Sequence, residues 1–156
     1  MSVGHQREYR HKAGLIAETQ KLLRDSRIQA YLKRPFKINL KHHIPYTGGS
    51  SRDGLTYYLD KDLPDVFHVP VLWHERIEKA LRDVLKMSYS RAHELATCAE
   101  RMLVDRMGQS WSEYKEAIGE YVRSNMEHPA KNLPDDLDTG PYRESGQMKL
   151  LGSAVH

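Results

Sequence analysis

The sequence predicts an α+β domain in which a small β-sheet packs on three to four helices. Three observations lead there. Apolar residues recur at helical spacing in "AGLIAETQKLLRDSRIQAYL" (13–32) and again in three stretches after Pro70. Between them, "PFKINLKHHI" alternates apolar and polar residues with period two, and "LTYYLD" (55–60) is aromatic and β-prone. A chain of 156 residues with 39% hydrophobic content fits one domain with a single core.

Leu15, Ile16, Leu22, Leu23, Ile28 and Leu32 fall roughly on one side of a first helix, which Pro35 prevents from continuing. In the strand that follows, Phe36, Ile38 and Leu40 alternate with Lys37, Asn39 and Lys41, as a half-buried strand requires. "PYTGGSSRDG" (45–54) is dense in turn formers and reads as a loop into a second strand over 55–60, both strands sharing one sheet. Pro70 opens a helix to about Lys86, and a second runs from Tyr89 to Met107 and stops at Gly108. Ser110 and Glu113 have capping-box spacing at the head of "WSEYKEAIGEYVRSNM". Residues 1–128 thus read as one α+β domain with a basic N-terminal helix. Residues 129–156 are rich in proline without apolar periodicity, and read as an extended tail that wraps the domain or stays mobile.

Composition excludes several classes. No apolar run approaches the roughly 18–20 residues that span a bilayer, and "MSVGHQREYRHK" is too polar for a secretory signal, so the expectation is a soluble, cytoplasmic protein with no membrane partner. The single Cys98 has no internal disulfide partner and reads as a buried, inert thiol. Charge is uneven: residues 1–43 hold ten Lys or Arg against Glu8, Glu18 and Asp25, a local balance of +7. That segment could meet nucleic acid through phosphate contacts, although no helix-turn-helix, zinc-finger or RNP pattern accompanies it and sequence-specific recognition is not expected.

Ionisable residues inside apolar stripes carry the functional signal. Positions 74, 77, 78, 81, 84 and 85 share one helical face and read His, Ile, Glu, Leu, Val, Leu. The next helix repeats the pattern, placing His93 and Glu100 among Tyr89, Ala92, Ala96, Ala99, Leu103 and Met107. A buried ionisable group costs several kcal/mol unless paired or bound to a metal, so four on facing stripes should converge. They could simply satisfy one another. "HERIE" suggests more: His74 and Glu78, at i and i+4, can point two ligands at one ion, with the Glu75 carboxylate beside the first. His93 would complete a set of two His and one Glu, the ligand set of a common catalytic zinc site. At 1.5 Å per residue, a tight antiparallel hairpin favours Glu100 as third ligand, whereas a steep crossing brings His93 to the ion and leaves Glu100 to orient a His ring; ligand chemistry favours His93, with Glu100 in reserve. Zn2+ or another divalent transition metal is the implied cofactor.

Over about residues 46–108, carried by "YTGGSSRDGLTYYLD", "HERIE" and "AHELATCAE", the chain resembles the zincin-like metallopeptidases, and in outline it is similar to small bacterial and prophage proteins. Glu78 stands where the signature has its second His. The resemblance implies a minimal zincin-like architecture, His74 and Glu78 as metal ligands and Glu75 as the general base. It also implies that the strand over 55–60 borders the cleft and pairs with an extended peptide or protein substrate. Gly48 and Gly49 would then allow close backbone approach, and Tyr58 is a candidate for the substrate side. The expected activity is that of a metal-dependent hydrolase, a minimal zinc peptidase. Its rivals are a non-catalytic interaction or phage-associated protein with a structural metal site or His/Glu network, and a nucleic-acid-binding module. Blander roles are expected elsewhere: solvent exposure for His42 and His43, packing for Trp73 and Trp111, a turn for Asp53.

Overall fold

A computed structural model describes residues 3–154, with side chains over 12–152. The fold is α+β, six helices with a three-stranded mixed sheet. Arg7 and Arg10 of the basic segment fall outside the described side chains.

The stretch read as one helix over 13–32 is two. Helix α1 spans Val3–Leu23 and α2 spans Ser26–Leu32. Asp25 breaks the run because its carboxylate accepts from the backbone N–H groups of Arg27 and Ile28, an N-cap that starts a new helix. Strands β1 (Lys37–Asn39), β2 (Gly48–Ser50) and β3 (Thr56–Leu59) form a sheet in the order β1-β3-β2, β1 parallel and β2 antiparallel to β3. The expected β1 pattern is only partly met. Ile38 and Leu40 are 48% and 43% exposed, since β1 is an edge strand whose apolar face lies off the core.

β2 lies inside the stretch expected to be loop, and it corrects the view of the cleft. β3 is the central strand, with both edges taken, and has no edge left for a substrate. β2 is the edge. Thr47 O accepts from Asp60 N, Gly49 pairs with Tyr58, and Ser51 N donates to Thr56 O, so residues 47, 49 and 51 face β3 and residues 48 and 50 turn outward. The outward carbonyl of Ser50 is taken by Asp138 N, and Ser51 forms a bridge with Leu137. Gly48 is required by space: a Cβ there would stand 2.7 Å from Tyr58 O.

A short 3-10 turn (Asp65–Phe67) leads into α3 (His68–Leu85), which ends at Lys86 in the left-handed conformation, φ 53°. Helix α4 spans Tyr89–Arg106, with Ser88 capping Arg91 N. Helix α5 spans Trp111–Asn125, capped by Ser110 as expected. The main core lies between α2, α3 and α4 around Ile28, Ile77, Leu81 and Leu95, and the small residues Ala92, Ala96 and Ala99 let α3 and α4 approach closely. The C-terminal segment wraps the domain: α6 (Gly140–Glu144) and a 3-10 stretch (Met148–Ala154) bury Leu137, Tyr142 and Leu151 against Ile44 and Tyr58. Among the described residues no helix is long and apolar enough to cross a membrane.

Candidate metal centre

Antiparallel packing of α3 on α4 brings the four ionisable residues together in pairs. Glu78 and His93 are the pair nearer the connecting turn, and His74 and Glu100 the pair one to two helical turns further out. His74 Nε2 lies 3.0 Å from Glu78 Oε2 and 3.2 Å from His93 Nδ1, and Glu78 Oε2 lies 3.0 Å from His93 Nδ1. These atoms form a nearly equilateral triangle. Around a tetrahedral zinc ion with bonds of roughly 2.0–2.1 Å, ligand atoms stand about 3.3 Å apart. The triangle fits with an outward movement of a few tenths of an ångström, so His74, Glu78 and His93 could hold a metal ion.

Glu100 lies outside the triangle. Its Oε1 accepts from His74 Nδ1 at 2.9 Å, and its Oε2 accepts from the Tyr114 hydroxyl at 2.6 Å. It therefore orients the His74 ring, the role expected of it if His93 is the third ligand. Nothing in the sequence singled out Tyr114. A hydroxyl one helix away is found only through packing.

Burial opposes charge on His74, but the hydrogen bonds and negative charges of Glu100 and Glu78 outweigh it and hold the imidazole well above the usual histidine range. Burial would likewise raise Glu78, yet donation from His74 and His93 holds it below the usual carboxylate range. Glu75 behaves in the opposite way. Burial and the neighbouring Glu78 charge push it up to about 8, and no hydrogen bond contributes to its shift. A cation at the triangle would draw it back down.

The triangle forms part of the wall of a cavity of about 460 Å³. His74 and Glu78 are buried, while the His93 side chain is 49% exposed, so the space between the three candidate ligand atoms is open on one side. Glu75, Gly48 and Gly49 line the same cavity as the triad. Tyr58 does not: it is buried on the opposite face of the sheet, its hydroxyl donating to Asp136, because alternate residues of β3 point to opposite sides. Sequence reasoning missed the opposing wall. Trp111, Lys115, Ile118 and Val122 line it from α5 at spacings of four, three and four, a stripe legible from the sequence once α5 is placed. Tyr46 and Tyr142 stack at 6.2 Å across another side, and Tyr46 adopts φ 63°, a strained conformation for a bulky residue.

Other expectations resolve plainly. Trp111 packs on Tyr114 and also lines the cavity, while Trp73 packs against the main core with its buried Nε1 unpartnered. Asp53 accepts from Leu55 N and Ser51 Oγ in a turn, and Cys98 is buried. His42 and His43 are half-buried rather than fully solvated. His42 Nδ1 donates to Asn132 O at 3.1 Å, and His43 bridges Asp60 Oδ1 and His128 O, because the C-terminal segment folds back over them.

Comparison with protein-family models, with curated proteins and with solved structures gave no match.

Proposed function

We propose that this protein is a metal-dependent hydrolase, most simply a small peptidase, with zinc or another divalent transition metal held by His74, Glu78 and His93. One observation carries the reading. Three ligand atoms 3.0–3.2 Å apart sit in a cavity wall, and the carboxylate next in sequence to a ligand also lines that cavity, outside the triad's hydrogen bonds.

A bound divalent ion supplies Lewis acidity, polarising a carbonyl oxygen and making water a better acid. The chain supplies the rest. Glu75 takes a proton from the attacking water on a carboxylate oxygen and delivers it to the leaving amine as the C–N bond breaks. Glu100 and Tyr114 keep His74 Nδ1 as a donor, which leaves Nε2 free to act as ligand. The outward-turned backbone of Gly48, at an open strand edge in the cavity wall, suits an extended peptide. Trp111, Ile118 and Val122 offer it an apolar wall.

A second reading is favoured by one specific fact. His74, Glu78, His93, Glu100 and Tyr114 already form a connected hydrogen-bonded network, which suits a structural metal site or a polar cluster without catalysis. Elemental analysis of zinc-treated protein with peptide-library cleavage separates the two. A hydrolase binds about one ion per chain and cleaves, and its Glu75→Gln variant binds the ion without cleaving. Metal bound without cleavage in the parent protein supports the structural site, and no metal at all defeats the ion-based readings.

A further inference from the structure

We propose that a second cleft, sharing no lining residue with the metal centre, binds a phosphate ester. It lies where the segment after β1, the turn after β3, the end of α5 and residues 128–132 meet, and is a half-open cleft of about 380 Å³ with its lysines exposed. Lys41, Lys61 and Lys131 line it with His42, His43 and His128, and Asp62 is its only carboxylate.

Four backbone carbonyls of the lining already accept hydrogen bonds. Asn132 O accepts from His42 Nδ1, His128 O from His43 Nε2, Asn125 O from His128 N, and His42 O from Lys61 N. The Asn125 carbonyl at the C-terminal end of α5, which would repel an anion, is thus engaged. None of the three lysines has an ion pair among the described residues, and His42 Nε2 has no partner. Three ammonium groups stand against Asp62 in the lining and the buried Asp60 behind His43, a local balance of +1.

The donor type selects the anion. Planar carboxylates are best read by the guanidinium fork, and no arginine lines this cleft. Ammonium groups act as point charges with rotatable donors and suit a tetrahedral oxyanion. A volume of about 380 Å³ exceeds what one phosphate fills and leaves room for an attached sugar or base. The cleft also takes Lys41, His42 and His43 from the segment with the +7 balance. The phosphate can belong to a small ester or to a nucleic-acid backbone, and the chemistry at the cleft is the same.

The test is NMR titration of the full chain with inorganic phosphate, adenosine monophosphate and a short oligothymidylate, following the imidazole resonances of His42 and His128. The expected result is that a phosphate probe shifts these resonances. Lys61→Ala with Lys131→Ala together should weaken binding about tenfold or more, while Lys21→Ala on α1 leaves it unchanged. Saturation by the mononucleotide identifies a small ester. Binding by the oligonucleotide alone, weakened about twenty-fold between about 50 and 200 mM salt as three single-strand phosphate contacts require, identifies a backbone. No shift with any probe at millimolar concentration, or equal loss in Lys21→Ala, overturns the proposal.

Discussion

Nδ1 of His74 stands 2.9 Å from Oε1 of Glu100, and the Tyr114 hydroxyl holds the other oxygen of that carboxylate at 2.6 Å. The line from α5 through α4 to α3 fixes which nitrogen of His74 donates, and so which one faces Glu78 and His93.

Replacing Glu100 by Gln keeps an acceptor for His74 but removes the charge that strengthens the ring as a ligand. Metal affinity should fall about 10- to 100-fold with the fold intact. Competition against a chromophoric chelator, with circular dichroism as the fold control, measures it; unchanged affinity would remove Glu100 from the metal site.

Metal uptake should release protons at neutral pH. The metal-free His74 is held above the usual histidine range and carries a proton on Nε2 that an ion must displace. Calorimetry in buffers of different ionisation enthalpy counts the protons. The same shift makes His74 stabilise the metal-free fold fully below the ordinary value of about 6.5, and that contribution fades as pH rises through the higher folded value. A metal-free protein equally stable at neutral and high pH would contradict the buried His74–Glu78–Glu100 contacts.

Glu75 binds its proton more tightly in the folded chain, so its ionisation destabilises the metal-free fold between an ordinary value of about 4.5 and a folded value of about 8. Glu75→Gln removes that penalty. The metal-free variant should melt about 2–6 °C higher than the parent at pH 8, which corresponds to roughly 1–2 kcal/mol after cavity water screens part of the shift. Near pH 4 the two should melt together. A lower melting point at pH 8 would mark Glu75 as a structural residue.

Gly48→Ala places a Cβ 2.7 Å from Tyr58 O and 3.2 Å from a Leu59 methyl group. The near contact is backbone, which cannot swing aside, so β2 must move away from β3. A loss of about 1–3 kcal/mol is expected, read as a lower denaturant midpoint. A neutral substitution would show that β2 has slack.

The C-terminal wrap is tied to α3 by Asp138, which accepts from Lys79 Nζ at 2.8 Å and Arg82 at 2.9 Å. Burial would raise Asp138, but donation from Lys79 and the Gly140 N–H lowers it, so its contribution is present above an ordinary value of about 3.8 and lost as pH falls through the lower folded value. Asp138→Asn leaves the buried Lys79 ammonium with Asp83 as its only carboxylate partner. Limited proteolysis should then cut within residues 129–152 first; an unchanged pattern would show that Tyr142 and Leu151 hold the segment without the ion pairs.

Sequence periodicity alone determined that His74 and Glu78 share a face of one helix with Ile77 and Leu81, and that His93 and Glu100 sit in the apolar stripe of the next. It also placed the caps at Ser110 and Gly108, because helix ends depend on local hydrogen bonds and local dihedral angles. Which residue faces which was decided only by packing. His93 meets Glu78, and Glu100 meets His74, because the alanines of α4 set how closely the two helices approach. β2 escaped notice because Gly-Gly has no side-chain pattern to read, and its pairing comes from β3 and the folded-back segment at 136–138. Tyr58 left the cleft for the same reason: alternation shows that neighbours on a strand face opposite sides, but only the layers on either side of the sheet decide which side is the cavity.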